Sequence, residues 1–216
     1  MPPWRQRTYD PPQFNPYSEK EATLAGQEWD MQRMGEHPGI PGFEALMAES
    51  LEALGEPGMV ERLLRRLGEA LGSHKVVLFC PLPGSDDPLT AYQWGMPDDF
   101  LARYANLIQG CDAWSEALER QQGAALARGG SLSQQLVSTP ALRRGAFYAD
   151  YLRPLGIDAM VNSIVEASPE VGMHVLAMYN DLGQSEFTPE QFARLRAATP
   201  WAVSYTHLRA HETKAN

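Results

Sequence analysis

Apolar residues recur at helical spacing from Phe43 onward, first at Phe43, Leu46, Met47, Leu51 and Leu54, then at Val60, Leu63, Leu64, Leu67 and Leu71. Positions three and four apart share one face of an α-helix, so two amphipathic helices are expected. Gly55-Glu-Pro-Gly58 separates them, and Gly72 closes the second. The period then changes. Val76 to Cys80 is a short continuous apolar run with β-branched residues, which reads as a buried strand. Pro81 to Pro88 is turn-rich, and Thr90 to Trp94 reads as a short return strand. Pro97-Asp-Asp99 puts a proline and two carboxylates where a helix N-terminus favours them, and Phe100, Leu101, Tyr104, Leu107 and Ile108 supply that helix's apolar face.

A further helix opens at Asp112 and runs through Trp114 and Leu118 to Gly129-Gly130. Thr139-Pro-Ala-Leu142 carries an N-cap signature for a helix containing Phe147, Tyr148, Tyr151 and Leu152, stopped by Pro154 and Gly156. Ala159–Ala167 and Val171–Asn180 read as a hairpin joined through Ser168-Pro-Glu170. Thr188-Pro-Glu-Gln191 spells a capping box for a last helix bearing Phe192 and Leu195. Strands interspersed with helices, ending in a hairpin, imply an α+β fold: an antiparallel sheet with helices on one face. The strand Val171–Asn180 is apolar on both sides, with Val171, Met173, Val175, Ala177 and Tyr179 on one and His174, Leu176 and Met178 on the other. Both faces are therefore expected to be covered, one by helices and the other by ligand, by the early helices or by a second copy of the chain.

Residues 1–42 precede this pattern and read as an arm. Prolines 2, 3, 11, 12 and 16 keep the chain extended to about Tyr17, Ser18 caps a weak helix, and His37-Pro-Gly-Ile-Pro-Gly42 breaks it. The chain has 216 residues, 44% of them hydrophobic, enough for one sizeable core, placed at residues 43–202. A net charge of −9 opposes binding to a phosphate backbone. No apolar run reaches the roughly 18 residues of a membrane span, and the N-terminus lacks the apolar core of a secretion signal, so a cytoplasmic, non-membrane protein is expected.

The candidate chemistry is sparse. Cys80 and Cys111 match neither a disulfide framework nor a metal-ligand spacing, and no cofactor-binding motif occurs. Cys111 precedes a helix whose amides could activate a thiol, which leaves a redox enzyme or sensor as one alternative. His74 suits a helix C-terminus, His174 lies within a strand, and Asp86-Asp87 and Asp98-Asp99 suit turn and helix-start duties. The chain is accordingly read as a non-enzyme, with no catalytic and no metal-binding residues. Tyr104, Asp112, Trp114, Tyr148 and Tyr151, with Trp94, place phenols, indoles and a carboxylate on elements able to line one small-molecule pocket.

The C-terminal string Val203–Thr213 resembles one reading frame of a sequencing transposase adapter. Residues 203–216 are therefore expected to be a non-native tail, and the natural chain to continue beyond Ala202.

Three segments together resemble the N-terminal sensory domain, PAS/GAF-like or autoinducer-binding-like, of LuxR-type helix-turn-helix transcriptional regulators. They are LLRRLGEALGSHKVVLF from Leu63, FYADYLRPLGID from Phe147 and FTPEQFARL from Phe187. The resemblance implies a homodimeric sensor of an unidentified small molecule, contacting DNA only through a C-terminal reader that this sequence lacks. It also implies that Tyr104 and Asp112 correspond to a tyrosine and an aspartate that hold an acyl-homoserine lactone. Ala113 replaces the usual proline, and Phe100 or Leu101 the usual upstream tryptophan. A purely structural dimerisation module with a filled core is the main alternative.

Overall fold

The computed structural model of the protein describes residues 39–53, 56, 58–80, 91–107, 111–168 and 172–215. Most of the expected arm, the Pro81–Pro88 connection with Asp86-Asp87, and the centre of the hairpin turn lie outside these residues. The chain begins with two helices, α1 (Phe43–Glu52) and α2 (Met59–Leu71), followed by strands β1 (Lys75–Phe79) and β2 (Ala91–Trp94). Then come α3 (Phe100–Leu107), α4 (Ala113–Arg120), α5 (Gln122–Arg128), strand β3 (Gly130–Leu132) and two short helices, α6 (Ser133–Leu136) and α7 (Thr139–Arg143). A π-helical turn, Tyr148–Leu152, leads into β4 (Ile157–Ser168) and β5 (Gly172–Asp181), and α8 (Pro189–Ala215) ends the chain.

The five strands form one antiparallel sheet in the order β2-β1-β5-β4-β3. β5 therefore lies at the centre, hydrogen-bonded to β1 and β4. Alternation along the strands sorts the core into two layers. Val76, Leu78, Val161, Leu176 and Met178 face α1, α2 and α8, where Val60, Leu64, Leu67, Leu195 and Ala198 are fully buried. Val77, Met160, Ala177 and Tyr179 face the other way, against Phe100, Trp114, Leu136, Leu142, Phe147 and Tyr151. Helices on one face alone give way to helices on both: of the three covers expected for the second face it is the early helices that are found, and the connection between β2 and β4 supplies the other helical layer. The sheet's two apolar faces thus give no argument for a second copy of the chain.

Local signals explain the ends of these elements. Gly72 takes a left-handed conformation (φ 80°), and the amide of Ser73 bonds back to Gly68 O at 2.9 Å. At Thr188 the expected capping box is present: Gln191 N donates to Thr188 Oγ1 at 3.2 Å, and Thr188 N to Gln191 Oε1 at 2.9 Å. Two long helices expected from the sequence are divided instead. The segment after Asp112 breaks at Gln121 into α4 and α5, and α7 stops at Arg143 before the separate π turn. β3 was not foreseen, since three residues containing glycine and serine carry no strand pattern. Helix α8 passes through Pro200 and continues across the adapter-like segment, and Val203, the first residue of that segment, is fully buried.

Leu176 is fully buried at the centre of the sheet, whereas Leu51 is 51% exposed on α1. Leu176→Ala should destabilise the protein by about 2–5 kcal/mol, and Leu51→Ala by no more than about 0.5 kcal/mol, in urea unfolding.

Candidate ligand-binding site

The second helical layer closes over the sheet with rings. Tyr151 in the π turn stacks on Phe147 (centroids 5.7 Å apart, interplanar angle 16°) and meets Tyr104 of α3 edge-on at 5.7 Å. Trp114, in the first turn of α4, packs edge-on against Phe147 at 5.5 Å and lies 6.5 Å from Tyr179 of β5. Burial holds the Tyr151 and Tyr179 phenols above the ordinary tyrosine range. For Tyr179, the nearby Asp112 and Tyr104 add to the effect. Both phenols therefore stay neutral and able to donate.

Asp112 is the N-cap of α4, as its position in the sequence suggests. Its Oδ1 accepts from the amides of Trp114 (2.8 Å) and Ser115 (3.1 Å), and its Oδ2 from the Tyr104 hydroxyl (2.8 Å) and Ser115 Oγ (2.7 Å). Four donors fill the roughly four acceptor positions of a carboxylate. Any new donor arriving here must displace one of them, and Ser115 Oγ, which can rotate away, is the least costly to move. The Trp114 indole is the opposite case. The residue is 5% exposed, and its Nε1–H has no acceptor among the described residues. A buried donor left unpaired costs about 1–3 kcal/mol, so the position calls for an oxygen that the described residues do not supply.

The sequence-derived residues are thus partly assembled. Tyr104, Asp112, Trp114 and Tyr151 come together on one face of the sheet. Tyr148 packs at the margin of that cluster and spends its hydroxyl on Asp158, at 2.7 Å. Trp94 lies on the opposite face: it pairs with Val76 in the sheet and packs against α2, where Gly68 leaves room for its ring. Two residues were missed. Tyr179 shares the face of Ala177 two positions away, a signal the alternation carried. Asp158 interrupts the apolar run Ile157-Asp-Ala-Met160, and the register shift between Ile157 and Ala159 makes it a β-bulge.

Asp158 joins three elements. Its carboxylate accepts from Arg143 Nη2 (2.8 Å), the Tyr148 hydroxyl (2.7 Å) and the amide of Gly183 (2.9 Å), which lies between β5 and α8. Burial opposes its charge, but these three donors outweigh that effect and hold the carboxyl below its ordinary range.

The remaining candidates have ordinary surroundings. Cys80 is buried in the core, Cys111 is exposed, and Asp99 pairs with Arg103 at 2.7 Å. His174 is buried in β5 opposite Val165, and His74 lies 6.1 Å from the Trp94 ring. Among the described residues no group of acidic, histidine or cysteine side chains could hold a metal ion, and no helix is long and apolar enough to cross a membrane. A groove of about 200 Å³ lies between α1 and α2, on the side of the sheet away from the aromatic cluster. Of the three arginines lining it, Arg62 pairs with Glu56 and Arg66 with Glu49.

A five-stranded antiparallel sheet between two helical layers, one of them an aromatic lid, defines an α+β sandwich. No family model matches the chain, and no curated protein matches it. Solved structures do. The ligand-binding domain of VqsR from Pseudomonas aeruginosa superposes with a TM-score of 0.54 at 21% identity, over 79% of this chain and 96% of that one. SdiA from Escherichia coli gives 0.52 at 10% identity, over 78% and 69% of the two chains. CepR2 from Burkholderia cenocepacia, an N-acylhomoserine lactone-dependent LuxR family transcription factor, gives 0.50 at 15% identity, over 77% and 96%. The chain has the fold of LuxR-type ligand-binding domains.

A carboxylate whose pKa is lower in the folded than in the unfolded chain adds stability above the ordinary value of about 4 and loses it as pH falls through the folded value. Asp158→Asn should therefore cost about 2 kcal/mol at pH 7 and progressively less below pH 4. Urea titrations at several pH values test this, and a loss that does not change with pH would contradict it.

Proposed function

We propose that this chain is the ligand-sensing domain of a LuxR-type transcriptional regulator, acting in the cytoplasm as a dimer and presenting a DNA-binding helix-turn-helix that would lie beyond Ala202. The ligand is a small amphipathic molecule held between the aromatic lid and the sheet. One observation carries the reading: the buried Trp114 indole N–H, without an acceptor among the described residues, set among Tyr104, Asp112, Tyr151 and Tyr179. Small-molecule sites are mostly apolar and aromatic with a few aimed polar groups, and this face has that composition. The fold shared with VqsR and CepR2 supports the same reading.

In this proposal a ligand carbonyl accepts from Trp114. A ligand N–H would displace Ser115 Oγ from Asp112 while Tyr104 keeps its bond. Because Asp112 caps α4, the ligand would alter how that helix is anchored. A conformational equilibrium responds only to such differential contacts. Pairing of two copies belongs to the proposal because helix-turn-helix readers bind paired half-sites.

The saturation of Asp112 favours a second reading, in which the lid is a filled core and the domain serves only to dimerise. Thermal unfolding with a panel of N-acyl-homoserine lactones separates the two. A ligand at about 100 times its Kd adds about 2.7 kcal/mol, or roughly 5–10 °C in Tm for a domain of this size. Trp114→Phe keeps most of the packing and removes the donor, so it should weaken binding about tenfold with little loss of ligand-free stability. No shift from any lactone, with marked destabilisation by Trp114→Phe, would favour the filled core.

A further inference from the structure

One row across the aromatic face of the sheet, Val77–Ala177–Asn162–Ser131, turns from apolar to polar at its β4–β3 end. The register sets Ala177 of β5 opposite Asn162 of β4, and Asn162 opposite Ser131 of β3, so all three share the side occupied by Tyr179 and Met160. Ser131 is fully buried and Asn162 is 4% exposed. One end of the carboxamide is accounted for, since Asn162 Oδ1 accepts from the Ser131 amide at 2.8 Å. The other end is poorly used: Nδ2 reaches the Met160 sulfur at 3.8 Å, a weak acceptor. The Ser131 hydroxyl has no partner among the described residues. The two strands are pressed together here, because Gly130 (φ +138°) brings its backbone so close that a Cβ would lie 2.2 Å from Asn162 O.

We propose that Ser131 and Asn162 form a second polar subsite, reading a hydroxyl or carbonyl on the tail of the ligand. The proposal rests on the ligand-binding reading above. Strand geometry sets the spacing: two residues along β5 and one strand across separate Tyr179 from Asn162 by roughly 8 Å. A head group at Trp114 and Tyr179 therefore places its chain along the row Ala177–Asn162–Ser131. A plain hydrocarbon tail leaves the Ser131 hydroxyl buried and unpaired. A tail carrying an oxygen accepts from Asn162 Nδ2 and bonds to Ser131 Oγ, which offsets the cost of burying both.

Calorimetric titration of the full chain tests this with N-octanoyl-homoserine lactone and with the same compound bearing a hydroxyl at the far end of its chain. The wild type should bind the hydroxylated compound about tenfold more tightly. Ser131→Ala should erase that preference while binding the plain compound at least as well. Since the alanine removes only an unpaired hydroxyl, its ligand-free Tm should equal or exceed that of the wild type. Equal binding of the two compounds by the wild type overturns the subsite and leaves the functional reading standing. A lowered Tm in Ser131→Ala with the preference intact assigns the hydroxyl to the fold, or to a buried water, and also overturns the subsite. If neither compound binds, the functional reading fails first and the subsite falls with it.

Discussion

β5 is hydrogen-bonded on both edges and buried on both faces, and the rest of the molecule is arranged around that constraint. Its alternation sends Leu176 and Met178 to α1, α2 and α8, and Ala177 and Tyr179 to the aromatic lid. A register slip of one residue would exchange those sets and destroy both layers. The bulge at Asp158 works within this constraint. By looping out one residue it keeps Ile157 and Met160 on the same face, and it frees a carboxylate to tie the lid to the segment that launches α8. The geometry of the site is thus a consequence of strand pairing.

Polar groups on the aromatic face fall into two kinds, and the contrast carries the functional argument. Asp112 and Asp158 are saturated: each buried carboxylate is met by several donors, as buried charges must be. Trp114 Nε1 and Ser131 Oγ find no partner among the described residues, although both are buried. Saturated groups fix the frame, since α4 is capped by Asp112 and the π turn is tied down through Tyr148. Unsaturated ones are costly in isolation, and they lie where a small molecule held against the sheet would meet them. Neutral Tyr151 and Tyr179 keep this region apolar without adding charge.

Much of this was legible from the residues. Periodicity located α1, α2 and α3, four of the five strands and the start of α8, because their apolar faces are long and unambiguous. β3 escaped because its three residues pair with β4 through tertiary context, which no local pattern reports. Trp94 shows how the face of a side chain can be missed even when its strand is read correctly. Tyr92 and Trp94 alternate with Gln93, and only the pairing of Trp94 with Val76 shows that the ring faces α2. That Tyr104, Asp112 and Trp114 lie together was legible because a capping aspartate and two aromatics fall within eleven residues of sequence. The unpaired state of the indole depends on what surrounds it, and the sequence does not encode that locally.

The central claim, that the face of the sheet under Trp114 receives a ligand oxygen, is tested most directly by the indole Nε1–H resonance of Trp114 in a nitrogen-15-labelled chain titrated with N-octanoyl-homoserine lactone. Formation of a hydrogen bond to that donor predicts a saturable downfield shift of this resonance, while Trp94 and Trp201, on the other side of the sheet, hardly move. A Trp114 resonance that stays fixed at saturating lactone, or that moves only together with those of Trp94 and Trp201, would contradict the account.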